Sequence, residues 1–310
     1  MAGVDGVELA VTEQGPAHGS PDAPVVLLVH GYPDTQAVWG PVAERLARDH
    51  RVVTYDVRGA GDSGAPDSTA GYDLAHLVAD QHRVIDAVSP GRPVHVVGHD
   101  WGSVQTWAAV AAPGAAGRYA GFTSISGPGL DHMSDWVRRH RRAGWSGLGA
   151  LLRQARRSWY VYAFHVPGAS LAWGPLAPRA RRLLERQGVP TDESWPAPTL
   201  RADAANGIRL YRANVLRRLA RPRAATVEVP VLLIVPSRDP FLGPEVFEGV
   251  EALAPDLHRR DIDAGHWVIR THADHVAAWI ARHVSAAEGA AVRGPAAARA
   301  QAPAASDGGR

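Results

Sequence analysis

Short apolar runs alternate with longer amphipathic stretches through the first third of the chain. Residues 24–29 are an apolar run that stops at His30-Gly31. A run without polar alternation is the pattern of a strand buried on both faces. Residues 51–57, 93–97, 121–126, 229–235 and 257–262 read as further strands, and residues 7–11 as an early edge strand. Residues 38–48, 73–88 and 104–112 carry helical patterns between them. In 73–88, Leu74, Leu77, Val78, Val84 and Ile85 fall near one face. The alternation predicts an α/β fold: a mostly parallel sheet flanked by helices.

The pattern changes between residues 130 and 219. That stretch is helical, rich in Arg and Trp, and broken by prolines, with no convincing buried strand. We expect core residues 1–129, a helical cap over 130–219 inserted after the sixth strand, and a second core part over 220–285. An insertion there covers the carboxyl ends of the strands, where ligands bind in such sheets. The final helix is expected over 273–283. Residues 286–310 are Ala/Gly/Pro/Ser-rich without periodicity and read as a disordered tail.

The strand at 93–97 runs into Gly98-His99-Asp100-Trp101-Gly102, and a helix follows. Two glycines around a central residue, at a strand-to-helix turn, have the spacing of a nucleophile elbow. The central residue is usually serine; here it is Asp100. A carboxylate needs no deprotonation at neutral pH, since its reference pKa is about 4. Its attack on an ester would give an anhydride. Its attack on a saturated carbon bearing a leaving group gives an ester that can then be hydrolysed. An aspartate here therefore points to an epoxide or an alkyl halide. The plainer reading is an aspartate that only caps the helix; the flanking glycines speak against it.

An elbow nucleophile needs an acid and then a histidine later in the chain. Asp239 follows the strand at 229–235, and His266, after Gly265, follows the strand at 257–262. Asp263 and Asp131 are rival acids. His99, beside the nucleophile, is given no catalytic role. The oxyanion hole calls for two backbone N–H groups: Trp101, and a residue of His30-Gly31-Tyr32-Pro33-Asp34, for which Tyr32 is chosen. Pro33 has no N–H and is a candidate cis proline.

Composition narrows the field. At 310 residues and 45% hydrophobic the chain can build a core. Cysteine is absent, which removes disulfides, thiolate catalysis and thiolate metal sites. All the basic residues are arginine, which removes Schiff-base lysine chemistry and a Walker phosphate loop. Arg138, Arg139, Arg141 and Arg142 cluster, but no nucleic-acid motif accompanies them, and a solvated helix face is the simpler reading. No apolar run approaches a membrane span, and the first residues lack a signal-peptide pattern. The expectations are a cytoplasmic protein with no nucleic-acid or membrane partner. Oligomeric state is open, a homodimer included.

Together the segments His30–Asp34, Asp56-Val57-Arg58-Gly59-Ala60-Gly61-Asp62-Ser63, 98–102, Asp239 and Gly265-His266-Trp267 resemble the α/β-hydrolase superfamily, and within it the soluble epoxide hydrolases. The resemblance covers about residues 5–285. It implies two cap tyrosines that act as acids toward the epoxide oxygen. Tyr160 matches the first by its distance from Pro167-Gly168, with Tyr162 as rival; Tyr211 matches the second. The resemblance also implies a covalent alkyl ester on Asp100, hydrolysed by water that His266 and Asp239 activate, with no metal or organic cofactor. The partner expected is a small apolar epoxide. Haloalkane dehalogenases share the elbow, and Trp101 is the position whose indole they use. A non-catalytic binding protein and an ordinary esterase are also compatible with such a fold.

Overall fold

A computed structural model describes residues 1–16, 23–223 and 226–299, the stretch 291–299 by its backbone alone. Among these residues seven strands form one sheet: β1 (Val11–Gln14), β2 (Val25–Val29), β3 (Arg51–Tyr55), β4 (Val94–His99), β5 (Tyr119–Ile125), β6 (Val231–Pro236) and β7 (Leu257–Ile262). Their spatial order is β1-β3-β2-β4-β5-β6-β7, and only β1 runs antiparallel to its neighbour. All five side chains of β2 are buried. Val25, Leu27 and Val29 join the core on one face of the sheet; Val26 and Leu28 join the core on the other. Period-two alternation on a sheet covered on both sides produces this split.

Helices α1 (Gly40–Leu46), α2 (Leu74–Val88) and α3 (Trp101–Val110) connect the first strands. The Asp73 side chain starts α2 by accepting from the Ala75 N–H. The cap comprises α4 (Leu130–Arg142), α5 (Trp145–Arg157), α6 (Trp159–Ala163), α7 (Trp173–Leu176), α8 (Ala180–Arg186) and α9 (Leu200–Ala220). Its root is tied by a bidentate pair, in which Asp131 accepts from Arg218 at 2.7 Å through both oxygens. After β7 come α10 (Val268–Thr271) and α11 (Ala273–Arg299). Among the described residues no helix is long and apolar enough to cross a membrane.

Three expectations need correction. The cap follows the fifth strand of this sheet, not the sixth. The early edge strand is β1 at Val11–Gln14, not residues 7–11, because the amides of Gly3 and Val7 are spent on a local loop closed between Gly3 and Val7. The tail expected to lack structure from 286 is helical through Arg299 as a continuation of α11. Its alanines have the highest intrinsic helix propensity, and they extend a helix already nucleated against the core. Residues 300–310 of that expected tail lie outside the described residues.

Candidate active site

The site lies where the sheet order reverses, at the carboxyl ends of β2 and β4. β4 runs directly into Asp100, whose backbone takes φ +51° and ψ −120° before α3 begins at Trp101. A non-glycine residue in this region carries strain on the order of 1–3 kcal/mol. The turn is tight enough that a Cβ at Gly98 would overlap Gly102, and one at Gly102 would overlap the Val29 carbonyl. Both glycines are therefore steric requirements of the elbow.

The two oxygens of Asp100 have different surroundings. Oδ1 accepts from the Tyr32 N–H at 2.7 Å, and the carboxylate also accepts from the Trp101 N–H. The two amides expected to cradle an oxyanion thus already hold the carboxylate. The Tyr32–Pro33 peptide bond is cis. Oδ2 lies 3.8 Å from His266 Nε2. On the far side of that ring, Nδ1 hydrogen bonds Asp239 Oδ2 at 2.8 Å. Asp239 Oδ1 in turn accepts from the N–H groups of Phe241 and Leu242, at 2.8 and 3.2 Å. The rival acids lie elsewhere: Asp131 is bound to Arg218, and exposed Asp263 pairs with Arg238.

Burial pushes the Asp100 carboxyl up to about 6, against the opposing pull of His266 and the two amides. Burial also disfavours a charged His266, but the carboxylates of Asp239 and Asp100 outweigh it and bring that imidazole to about 9. For Asp239 burial is likewise overcome, here by His266, and its pKa is lowered.

Above Asp100 is a cavity of about 310 Å³ between core and cap, with mostly apolar walls such as Val104, Leu130, Met133 and Leu242. Tyr160 of α6 and Tyr211 of α9 both line it. Their rings meet edge to face at 5.8 Å, and Tyr211 meets Trp101 at 5.0 Å. Burial raises the pKa of both phenols, and the charge on Asp100 raises them further. Tyr162 also borders the cavity but is 61% exposed.

Two residues of the site were not singled out for it by the sequence. Asp34 is buried and accepts from the indole N–H of Trp195 at 2.9 Å and of Trp267 at 3.2 Å. It fastens the loop before α9 to the His266 loop, and burial lifts its carboxyl to about 6. The His99 ring lies 4.7 Å from that of His266, tilted by 52°, and its Nε2 hydrogen bonds the His266 carbonyl at 3.0 Å. Burial and the neighbouring His266 hold His99 down at about 3, so it stays neutral. A histidine beside a nucleophile gives no sequence signal of such a supporting contact.

A family model described as alpha/beta hydrolase fold matches residues 24–273. The chain is 39% identical over 293 residues to the "Probable oxidoreductase EphD" of Mycobacterium tuberculosis (strain ATCC 25618 / H37Rv), covering 92% of this chain and 49% of that protein. It is 32% identical over 197 residues to "Epoxide hydrolase A" of the same organism, covering 63% of this chain and 56% of the relative. The chain thus spans about half the length of these curated relatives. A Bacillus megaterium epoxide hydrolase solved with an inhibitor superposes with a TM-score of 0.75 at 20% identity, over 90% of this chain and 98% of that one. This likeness is one of fold.

Proposed function

This chain belongs to the alpha/beta hydrolase fold family, and we propose that it opens epoxides to vicinal diols through an ester on Asp100. The observation that carries the reading is the asymmetry of Asp100. The Tyr32 amide holds Oδ1, while Oδ2 is left toward His266, beside an apolar cavity lined by two phenols.

In the proposed reaction, Tyr160 and Tyr211 donate hydrogen bonds to the epoxide oxygen. Raised pKa values keep both phenols protonated and able to donate. Asp100 Oδ2 attacks one ring carbon from the side opposite the oxygen, forming a C–O bond as the ring C–O bond breaks. The alkoxide is protonated at the expense of the His266 imidazolium. The ester removes the negative charge facing His266, so the imidazole pKa falls and it becomes a base. A water then loses one proton to His266 Nε2 and attacks the Asp100 carboxyl carbon. The Tyr32 and Trp101 amides hold the resulting oxyanion. Collapse expels the diol oxygen, which takes the second water proton. The carboxylate and imidazolium are restored, and epoxide plus water has become diol.

Halide displacement by the same three residues is the second reading, favoured by the position of Trp101 next to Asp100 on the cavity wall. An alkoxide is a far poorer leaving group than a halide, and two phenols over the nucleophile suit the poorer one. The M. tuberculosis relative named an oxidoreductase is matched over 49% of its length. Single turnover in heavy-oxygen water tests the proposal. The ester route delivers the label first to Asp100; label found only in diol would overturn it.

A further inference from the structure

The charge of the chain is divided in space. Residues 130–220 hold 16 arginines against six acidic residues, a net +10. The whole chain has 33 basic and 31 acidic residues, so the remainder holds 17 against 25, a net −8. A small overall charge therefore hides a strongly cationic cap on an anionic core, the asymmetry that favours an anionic partner.

The outer side of α5 adds a second feature. Gly147, Ala150 and Gln154 face inward and are buried. Trp145 and Leu152 point the other way, 91% and 61% exposed, and Trp159, the first residue of α6, is 66% exposed. Arg156 shares their side, and Arg141 and Arg142 stand just before the helix; all three are exposed and without an acidic partner among the described residues. Bulky apolar groups interleaved with arginines are the composition of a helix that lies in a membrane interface, with tryptophan at headgroup depth. The mouth of the cavity is close by. Leu151 lines both the cavity and the open hollow beneath Trp145, and the exposed Tyr162 and Leu216 also border the cavity.

We propose that this face of the cap docks on an anionic lipid surface and admits apolar substrate to the cavity from the bilayer. Docking stands apart from the reaction proposed above; the entry route rests on it. The proposal departs from the sequence expectation of no membrane partner, which considered only spans through a bilayer. A second copy of the chain is a poorer occupant, since a two-fold contact would set arginines against arginines. A nucleic acid is poorer too, because the tryptophans stand exposed on two successive helices and not in a charged channel.

The test is co-sedimentation of the full chain with vesicles of phosphatidylglycerol and phosphatidylcholine, and with phosphatidylcholine alone. The chain should bind the anionic vesicles only, and binding should weaken as salt is raised. The pair Trp145→Ser/Leu152→Ser and the triple Arg141→Gln/Arg142→Gln/Arg156→Gln should each lose about 10-fold or more in affinity, with thermal midpoints unchanged. Asp100→Asn should bind as the parent does, so failure of the hydrolase reading would leave this result intact. The proposal is overturned if the parent stays in the supernatant with anionic vesicles, or if both variants bind as the parent does. It is equally overturned if duplex DNA binds in preference to the vesicles, or if light scattering finds a dimer that the Trp145/Leu152 variant dissolves.

Discussion

Replacing His266 with glutamine separates the two halves of the proposed reaction. The hydrolytic half loses its base, a loss of roughly 100- to 10,000-fold. The alkylation half does not use His266 as a base, but it is not untouched. His266 Nε2 lies 3.8 Å from Asp100 Oδ2. A unit-charge pair at that distance is worth about 1 kcal/mol with water-like screening and about 4 kcal/mol at an effective permittivity of ~20. Losing the imidazolium should therefore move the titration of Asp100 upward by about 1 to 3 pH units. The parent group already titrates near 6, so the variant is best assayed at about pH 9, above most of the shifted range. Mixed with a styrene-type epoxide, quenched in acid and weighed intact, His266→Gln should gain one substrate mass per chain while diol release stalls. Digestion should place the added mass on the peptide containing Asp100. Continued diol release from a variant that never gains mass would refute the covalent route. So would a loss of both halves at about pH 9 in a protein whose thermal midpoint is unchanged.

Tyr160→Phe and Tyr211→Phe should each cut kcat/KM on that epoxide by roughly 100-fold, the cost of one donor at a developing oxyanion; Tyr162→Phe should leave it near the parent value. Because burial raises Asp100 to about 6, kcat/KM should fall as pH drops through 6, the nucleophile being lost on protonation. Under rate-limiting ester hydrolysis, the acid limb of kcat should instead report His266 in the ester form, below the value of about 9 that it has facing two carboxylates. Gly102→Ala should destabilise the fold by about 1–3 kcal/mol or more, read as a lower urea midpoint, because its Cβ has to displace the Val29 carbonyl.

Much of this arrangement was legible because the chemistry is local in the chain. A buried strand, a glycine pair and a polar residue between them specify the elbow within a few residues, and the strand ends before Asp239 and His266 can be read the same way. Asp239 is preferred in the sequence to Asp131 and Asp263, which also follow strands; how it is held is not visible there, since the N–H groups of Phe241 and Leu242 bind Oδ1 while Oδ2 meets His266. Asp34 was hidden because its partners, Trp195 and Trp267, are 161 and 233 residues away. The helical course of residues 286–299 is not visible in composition alone; it depends on the helix that precedes it. The cationic face of the cap needed the fold as well: Arg141 and Trp145 are informative only once α5 is known to bury its opposite side.

The buried charges explain why one histidine can serve both halves of the reaction. At rest the site holds Asp100 and Asp239 as carboxylates and His266 as imidazolium, a net charge of one negative. In the ester Asp100 is neutral, and if His266 gives up its proton the net charge is again one negative. The step then moves no net charge into or out of a dry interior, where an unpaired charge is most costly. Counting protons exposes this. Opening the epoxide leaves an alkoxide that needs one proton. At pH 8, below the resting His266 value of about 9, the imidazolium supplies it and the burst should take up almost no proton from a dilute buffered dye. In His266→Gln that source is gone, and each ester formed from ionised Asp100 should take up one proton; whatever fraction of Asp100 is protonated after its upward shift lowers the total accordingly. Uptake of about one proton per ester in the parent would mean that His266 keeps its proton through alkylation, and a protonated imidazole cannot be the base that follows.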